Sequence, residues 1–326
     1  MNRVIAGDIG GTKTRLAIAV VDGTHVFIEH GVEYASRDYA SFEVLLGDFL
    51  KDAQVAARAA FGVAGPVLGR AVRATNLPWY INADVLQQRF GFEHCQLLND
   101  LEATAYGLPA LGQEDLLTLQ AGEADARGNA AVIAAGTGLG EAGLFWDGRL
   151  HHPFATEGGH GSFSPQDETE VELLRYLQRR YVNVSWERVV SGMGLLDLHD
   201  FLRIHRAVPL PPWLAQEMRQ GDVAAAISKA ALAGSDGICV ETLERFVHLY
   251  GAEAGNLALK TMSRGGLYVG GGIAPKILPL LQGGAFIEAF TDKGRMRPLL
   301  EAMPVHVILN DRAALYGPAL CAARLA

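Results

Sequence analysis

The chain reads as an α/β protein built from two duplicated halves. Strand-length apolar runs alternate with runs of helical spacing, a mixture that implies packed α and β layers. A hairpin punctuated by glycine occurs twice, and a strand–Asn–Asp–helix passage also occurs twice, in the same order. At roughly 100–200 residues per domain, the 326 residues suggest two domains, each able to bury a core.

The first half opens with Val4-Ile5-Ala6, a glycine turn over Gly7–Thr12, the run Leu16–Val21 and a second turn at Asp22-Gly23. Apolar runs bracketed by glycine turns predict consecutive hairpins. Phe42, Leu45, Leu46, Phe49 and Leu50 form one stripe, predicting a helix from Phe42 to Ala57. Ala60–Ala64 is a short strand ending in the turn Gly65-Pro66; Asp84 is expected to cap a helix running to Phe90. Gln96–Leu98 is a strand that stops at Asn99-Asp100, where a helix begins.

In the second half Val132-Ile133-Ala134 repeats Val4-Ile5-Ala6, and Asp147-Gly148 repeats Asp22-Gly23. Further on, Leu98-Asn99-Asp100, Tyr106-Gly107 and Pro109-Ala110-Leu111 return as Leu309-Asn310-Asp311, Tyr316-Gly317 and Pro318-Ala319-Leu320. Two such echoes in one order point to an ancient duplication. The longer second half has helical stripes at Val171, Leu174, Leu177 and Tyr181, and at Val240, Leu243, Phe246, Val247 and Tyr250. A strand at Leu267–Val269, Gly270-Gly271-Gly272 and a helix over Pro275–Leu281 follow.

Composition narrows the function. Net charge is −8 with no basic block, against a nucleic-acid footprint. Cys95, Cys239 and Cys321 are too far apart for a CxxC zinc pattern and odd in number, fitting a reducing cytosol. No targeting segment is read at the N-terminus, and no apolar run approaches the ~18 residues of a membrane span. The expectation is a cytoplasmic protein without membrane or nucleic-acid partners.

Glycine, about 12% of the chain against the usual ~7%, clusters where chemistry is expected. Gly7-Asp8-Ile9-Gly10-Gly11-Thr12-Lys13-Thr14 comes near a P-loop but has Thr12 where that motif needs Gly, and a strand follows it. A glycine turn between strands still bares backbone N–H groups to phosphate, and Asp8 suits Mg²⁺ held through water. The alternative is a plain hairpin turn with a solvated Asp8. Gly138-Leu139-Gly140-Glu141-Ala142-Gly143 fits GxGxxG, yet the next residues read as strand rather than the helix a dinucleotide fold requires. As second and third close-approach segments, Gly136-Thr137-Gly138 and Gly270–Gly272 favour a nucleotide.

Asp100 stands at a strand–helix junction, where an N-cap is the competing explanation; for Asp311 the N-cap is favoured. Glu157-Gly158-Gly159-His160-Gly161 puts an acid and an imidazole on a loop with nothing apolar to bury, as ligand loops do. Glu187, in Ser185-Trp186-Glu187-Arg188, fits a ligand contact or a capped helix start equally.

Together these segments resemble the bacterial glucokinases, in the hexokinase branch of the actin-like ATPase superfamily. The resemblance spans the chain and includes Gly65-Pro66 and Thr75-Asn76-Leu77-Pro78-Trp79. It implies a two-domain actin-like (ribonuclease H-like) fold with the active site in a cleft between the lobes. The domains would be 1–110 with about 305–326, and 111–304 with a helical insertion. It also implies ATP and Mg²⁺ as cofactors. Gly7, Asp8, Ile9, Gly10, Gly11, Thr12, Thr137, Gly138, Gly270, Gly271 and Gly272 would hold the nucleotide, with Asp8 on Mg²⁺. Asp100 would be the base, and Asn99, Asp100, Glu157, His160 and Glu187 would bind the sugar.

Relatives of the ROK type carry a Cys-rich zinc motif after the corresponding Gly-His; here Gly161-Ser162-Phe163-Ser164-Pro165 follows, so no structural zinc is expected. Lys13 stands where this branch often has Asn and could reach a phosphate or point to solvent. The implied reaction is phosphorylation of D-glucose at the 6-position, the first step of glycolysis, by a homodimer. The rivals are a kinase of mannose or fructose, a sugar-sensing regulator, and an ATPase that changes shape. A regulator would need a DNA-binding segment before Val4, and a pure ATPase has no use for Glu157 and His160.

Overall fold

The computed structural model describes residues 1–51 and 56–325. Its fold is α/β with mixed sheets, and its contacts divide it into two compact units. One comprises Met1–Leu116, Ala142–Ala155 and Asn310–Ala326; the other comprises Leu117–Glu141 and Thr156–Leu309.

The first unit is organised on five strands in the order His25–Ala35, Lys13–Asp22, Asn2–Ile9, Arg58–Val63, His94–Asn99. The first three pair antiparallel as consecutive hairpins, and the last two join in parallel. Val4, Ile5 and Ala6 are all buried because both faces are covered. Ile5 and Ile9 pack with Phe42, Leu45, Leu46 and Phe49 of the helix Phe42–Leu50. Val4 and Ala6 pack with Leu315, Ala319 and Leu320 of the last helix, Ala313–Arg324.

The repeated Tyr-Gly words meet in this unit. A methyl group on Gly317 would lie 1.6 Å from the Ala103 carbonyl oxygen, and one on Gly107 would lie 2.2 Å from that of Ala313. The helices Asp100–Gly107 and Ala313–Arg324 therefore touch backbone to backbone, which only glycine permits.

The second sheet has six strands: His151–Thr156, Leu139–Trp146, Ala130–Ala135, Gly266–Gly270, Val305–Ile308 and Leu116–Gln120. Without the last, the succession repeats that of the first sheet: third, second, first, fourth and fifth strand of each series. Between Thr156 and Gly266 come the helices Glu168–Leu177, Gly192–His205, Pro212–Gln220, Val223–Leu232 and Gly237–Thr261. The longest is anchored by Tyr250, fully buried, whose hydroxyl accepts from Ala135 N at 3.1 Å and lies within hydrogen-bonding distance of the Ile133 and Gly270 carbonyls. No single helix among the described residues is long and apolar enough to cross a membrane.

Several local expectations need correction. The first helix ends at Leu50, Ala56 and Ala57 are not helical, and positions 52–55 lie outside the described residues. Asn82, not Asp84, caps the helix Ala83–Phe90, because its Oδ1 reaches the amides of Asp84 and Val85 at 2.8 and 3.1 Å. The stretch Pro275–Leu281 is a 3₁₀ turn, Ala274–Ile277, followed by one α turn, Leu278–Leu281. Pro279 removes the backbone donor that a continuous helix would aim at Pro275 O. Asp311 is no N-cap: Asn310 Oδ1 accepts from Arg312 N at 2.9 Å, while Asp311 pairs with Arg15 at 2.7 Å.

Candidate active site

In the first unit, the turn between the first two strands is closed by Gly10 N donating to Lys13 O at 2.9 Å. Ser36 supports it from outside, donating from Oγ to Gly10 O at 2.8 Å and from its amide to Thr12 O at 3.0 Å. Gly7 and Ile9 are buried in the strand, and Gly11 and Thr12 form the tip. Asp8, half-buried, lies near Arg15 and Asp311. Burial pushes its carboxyl up to about 6, with Arg15 opposing and Asp311 adding to the shift. Lys13 is exposed and pairs with Glu33 at 2.5 Å.

Asn99 and Asp100 end the edge strand of the same sheet. Asn99 is the N-cap of Asp100–Gly107: its Oδ1 accepts from Leu101 N at 2.9 Å, while Glu102 reaches back to the Asn99 amide at 3.3 Å. Its Nδ2 donates to Gly65 O at 3.2 Å, leaving one amide hydrogen for a ligand. With the capping done by Asn99, Asp100 stands in the first helical turn, half-buried, its Oδ1 3.0 Å from Leu101 N. Cap and acid are thus adjacent residues with separate duties.

The second unit brings Glu157, His160 and Glu187 together. His160 Nε2 lies 3.8 Å from Glu157 Oε2, and its Nδ1 lies 4.0 Å from Glu187 Oε1. Gly158–His160 is a 3₁₀ turn, and Trp186 N donates to Gly161 O at 2.9 Å, stitching the two loops. Glu187 belongs to another 3₁₀ turn, Trp186–Arg188, which has no side-chain cap. Its Oε2 accepts from Leu139 N at 3.1 Å, at the end of the glycine turn Gly136–Gly138. One carboxylate therefore touches both predicted segments.

The turn Gly136–Gly138, closed by Gly136 N donating to Gly138 O at 2.8 Å, opens on a cavity of about 1060 Å³. Gly136, Thr137 and Gly272 line it, so two of the predicted nucleotide segments share one space. Gly271 lies behind it at φ +83, where a methyl would sit 2.3 Å from the Ala135 carbonyl oxygen; Gly270 ends the strand beneath. Its other walls include Met193, Leu196, Val223, Ala224, Ser228 and Lys276. Met193, Leu196, Val223, Ala224 and Ser228 escape a sequence reading because they sit in ordinary helices, whose cavity-facing side has the same composition as a packed side.

The glucokinase family model matches residues 5–325. A glucokinase of Trichormus variabilis is 43% identical over all of both chains. One of a Caulobacter species is 37% identical over 97% of this chain and 94% of its own. Among solved structures, a glucokinase from an Antarctic psychrotroph superposes with a TM-score of 0.88 at 31% identity, covering both chains fully. Given a match from end to end, the chain belongs to the glucokinase family.

Proposed function

We propose that the chain catalyses ATP-dependent phosphorylation of D-glucose to D-glucose 6-phosphate. The observation that carries the site assignment is the second unit's pairing of a roomy cavity, lined by Thr137 and Gly272, with the polar cluster Glu157, His160 and Glu187 beside the same glycine turn. A polyphosphate needs bare amides and an apolar recess for its base; a sugar needs several fixed hydrogen-bond partners.

In this reading the chain has the two-lobed actin-like fold. Asp100 takes the proton of the sugar 6-hydroxyl as that oxygen attacks in line. Asn99, Glu157, His160 and Glu187 hold the other hydroxyls, so a sugar lacking one leaves its partner unpaired. The amides around Gly7–Thr12 and Gly136–Gly138 bind phosphate oxygens, and Gly270–Gly272 flanks the adenosine. Excluding water from the site protects ATP from hydrolysis.

Mg²⁺ fits the residues present. Among the described residues no three acids, histidines or cysteines cluster as a metal cage. Mg²⁺ bound with a nucleotide needs only one or two carboxylates, the rest of its shell being phosphate and water. Asp8, whose carboxyl is desolvated, is suited to that task. When bound, the ion neutralises charge on the phosphates.

The family resemblance extends the reading to a cytoplasmic homodimer at the entry of glycolysis. Sedimentation at micromolar concentration tests the dimer. A coupled assay over glucose, mannose and fructose tests the substrate: glucose is expected to have the highest kcat/KM, and equal values for all three would remove glucose as the specific substrate.

A further inference from the structure

The strand Leu139–Trp146 is apolar except for Glu141, which is only 1% exposed. Its carboxyl lies directly under the sugar loop: a methyl on Gly158 would sit 1.9 Å from Glu141 Oε2. Thr156 Oγ1 ties the same places together, donating to Glu141 O at 3.1 Å and accepting from Gly158 N at 3.2 Å. Gly159 rests on the strand as well, since a methyl there would meet Leu139 O at 2.1 Å.

Behind Glu141 lies a second acid, Glu253, fully buried on the helix Gly237–Thr261. The two carboxyls act on each other at close quarters, and among the described residues Glu141 Oε1 has no hydrogen-bond partner. Two buried carboxyls sharing one site do not both ionise, so one keeps its proton. Glu253 also accepts from Asn256 at 2.7 Å and faces Lys260 at 3.4 Å, so Glu253 carries the charge and Glu141 the proton. The other groups acting on the pair are Tyr250, from the same helix, and Lys293, itself near Asp292 and Glu170.

We propose that Glu141 is a positioning residue of the glucose site: as a neutral acid beside Glu253, it forms the floor on which Gly158 rests and so sets Glu157 and His160. The inference rests on the reading that this loop binds the sugar. Ionising Glu141 places a second negative charge in a dry contact, and the floor must give way. Burial first, then the charge of Glu253, pushes the Glu141 carboxyl up, with Lys260 opposing, so the proton is lost on the alkaline side.

The test measures kcat and both KM values from about pH 6 to 9 for wild type, Glu141→Gln, Glu141→Ala and Glu157→Ala. In wild type the KM for glucose is expected to rise about fivefold or more toward alkaline pH, the KM for ATP staying level. Glu141→Gln, which keeps the size and neutrality of the protonated acid but does not titrate, should flatten that rise. Glu141→Ala should raise the glucose KM about tenfold throughout. A wild-type KM level with pH, or the same rise in Glu141→Gln, overturns the proposal. Should Glu141→Ala fail to fold, the comparison of wild type with Glu141→Gln decides alone. An unchanged glucose KM in Glu157→Ala would instead overturn the reading of the loop, so the two failures are distinct.

Discussion

The turns Gly7–Thr12 and Gly136–Gly138 occupy the same place in two sheets of the same strand succession, yet their polar partners differ. The first has an acid within it, Asp8, opposed by Arg15 and Asp311. The second has an acid brought from outside, Glu187, which accepts from Leu139 N and approaches His160. A duplicated backbone thus supports two surroundings: an acid beside an arginine in one unit, and in the other a bridge from the glycine turn to the loop of Glu157 and His160. Backbone amides are interchangeable between copies; side chains divide the labour.

If Asp100 is the base, as proposed, removing its carboxylate should have the largest effect. Asp100→Asn is expected to lower kcat by about 10²–10⁴-fold with glucose binding retained, checked by a coupled assay and a binding titration. Near-normal turnover would mean that Asn99–Asp100 serves only as a helix start. Asp8→Asn comes next, with a loss on the order of 10² in kcat and a raised Mg²⁺ requirement. An unaltered Mg²⁺ titration would erase the contrast between the two turns.

Gly271→Ala probes the second unit's backbone. With φ at +83 and the Ala135 carbonyl in the way, it should cost about 1–3 kcal/mol in a urea melt and weaken nucleotide binding.

A smaller effect concerns pH. Glu141 in the folded chain keeps its proton above the ordinary 4.5. The native state therefore binds more protons than the unfolded chain between that value and its raised one, and stability falls as pH rises through the window. The contribution is complete below the ordinary value. Glu141→Gln should remove that slope from urea midpoints measured across pH. The smallest effect is expected from Lys13→Ala: its ion pair with Glu33 is exposed, so the KM for ATP should change less than about twofold. A larger change would assign Lys13 to phosphate.

Much of the fold was legible because hairpin turns and apolar periods are local. Asp22-Gly23 and the run Leu16–Val21 needed only neighbours to be read as strand and turn. Helix ends were read less well. Asn82 and Asp84 are chemically similar caps, and which of the two reaches the free N–H depends on a backbone angle that residue type does not set. At the site, glycines and polar loops announced themselves by composition. The cavity walls at Leu196 and Ser228 did not. Glu141 left one signal, a charge inside an apolar strand, but its meaning depends on Glu253, more than a hundred residues away.

By itself the sequence determined the alternation of elements, their duplication, the three glycine segments and the acids and histidine near them. Those are properties of short windows, where sterics and periodicity act between neighbours. Only the tertiary structure decided that Thr137 and Gly272 share one cavity, that Glu187 joins turn to loop, and that Glu141 and Glu253 meet beneath Gly158. Hydrogen bonding and desolvation act through space. Their strength is set by which distant side chains packing forces together, and by how much water it removes.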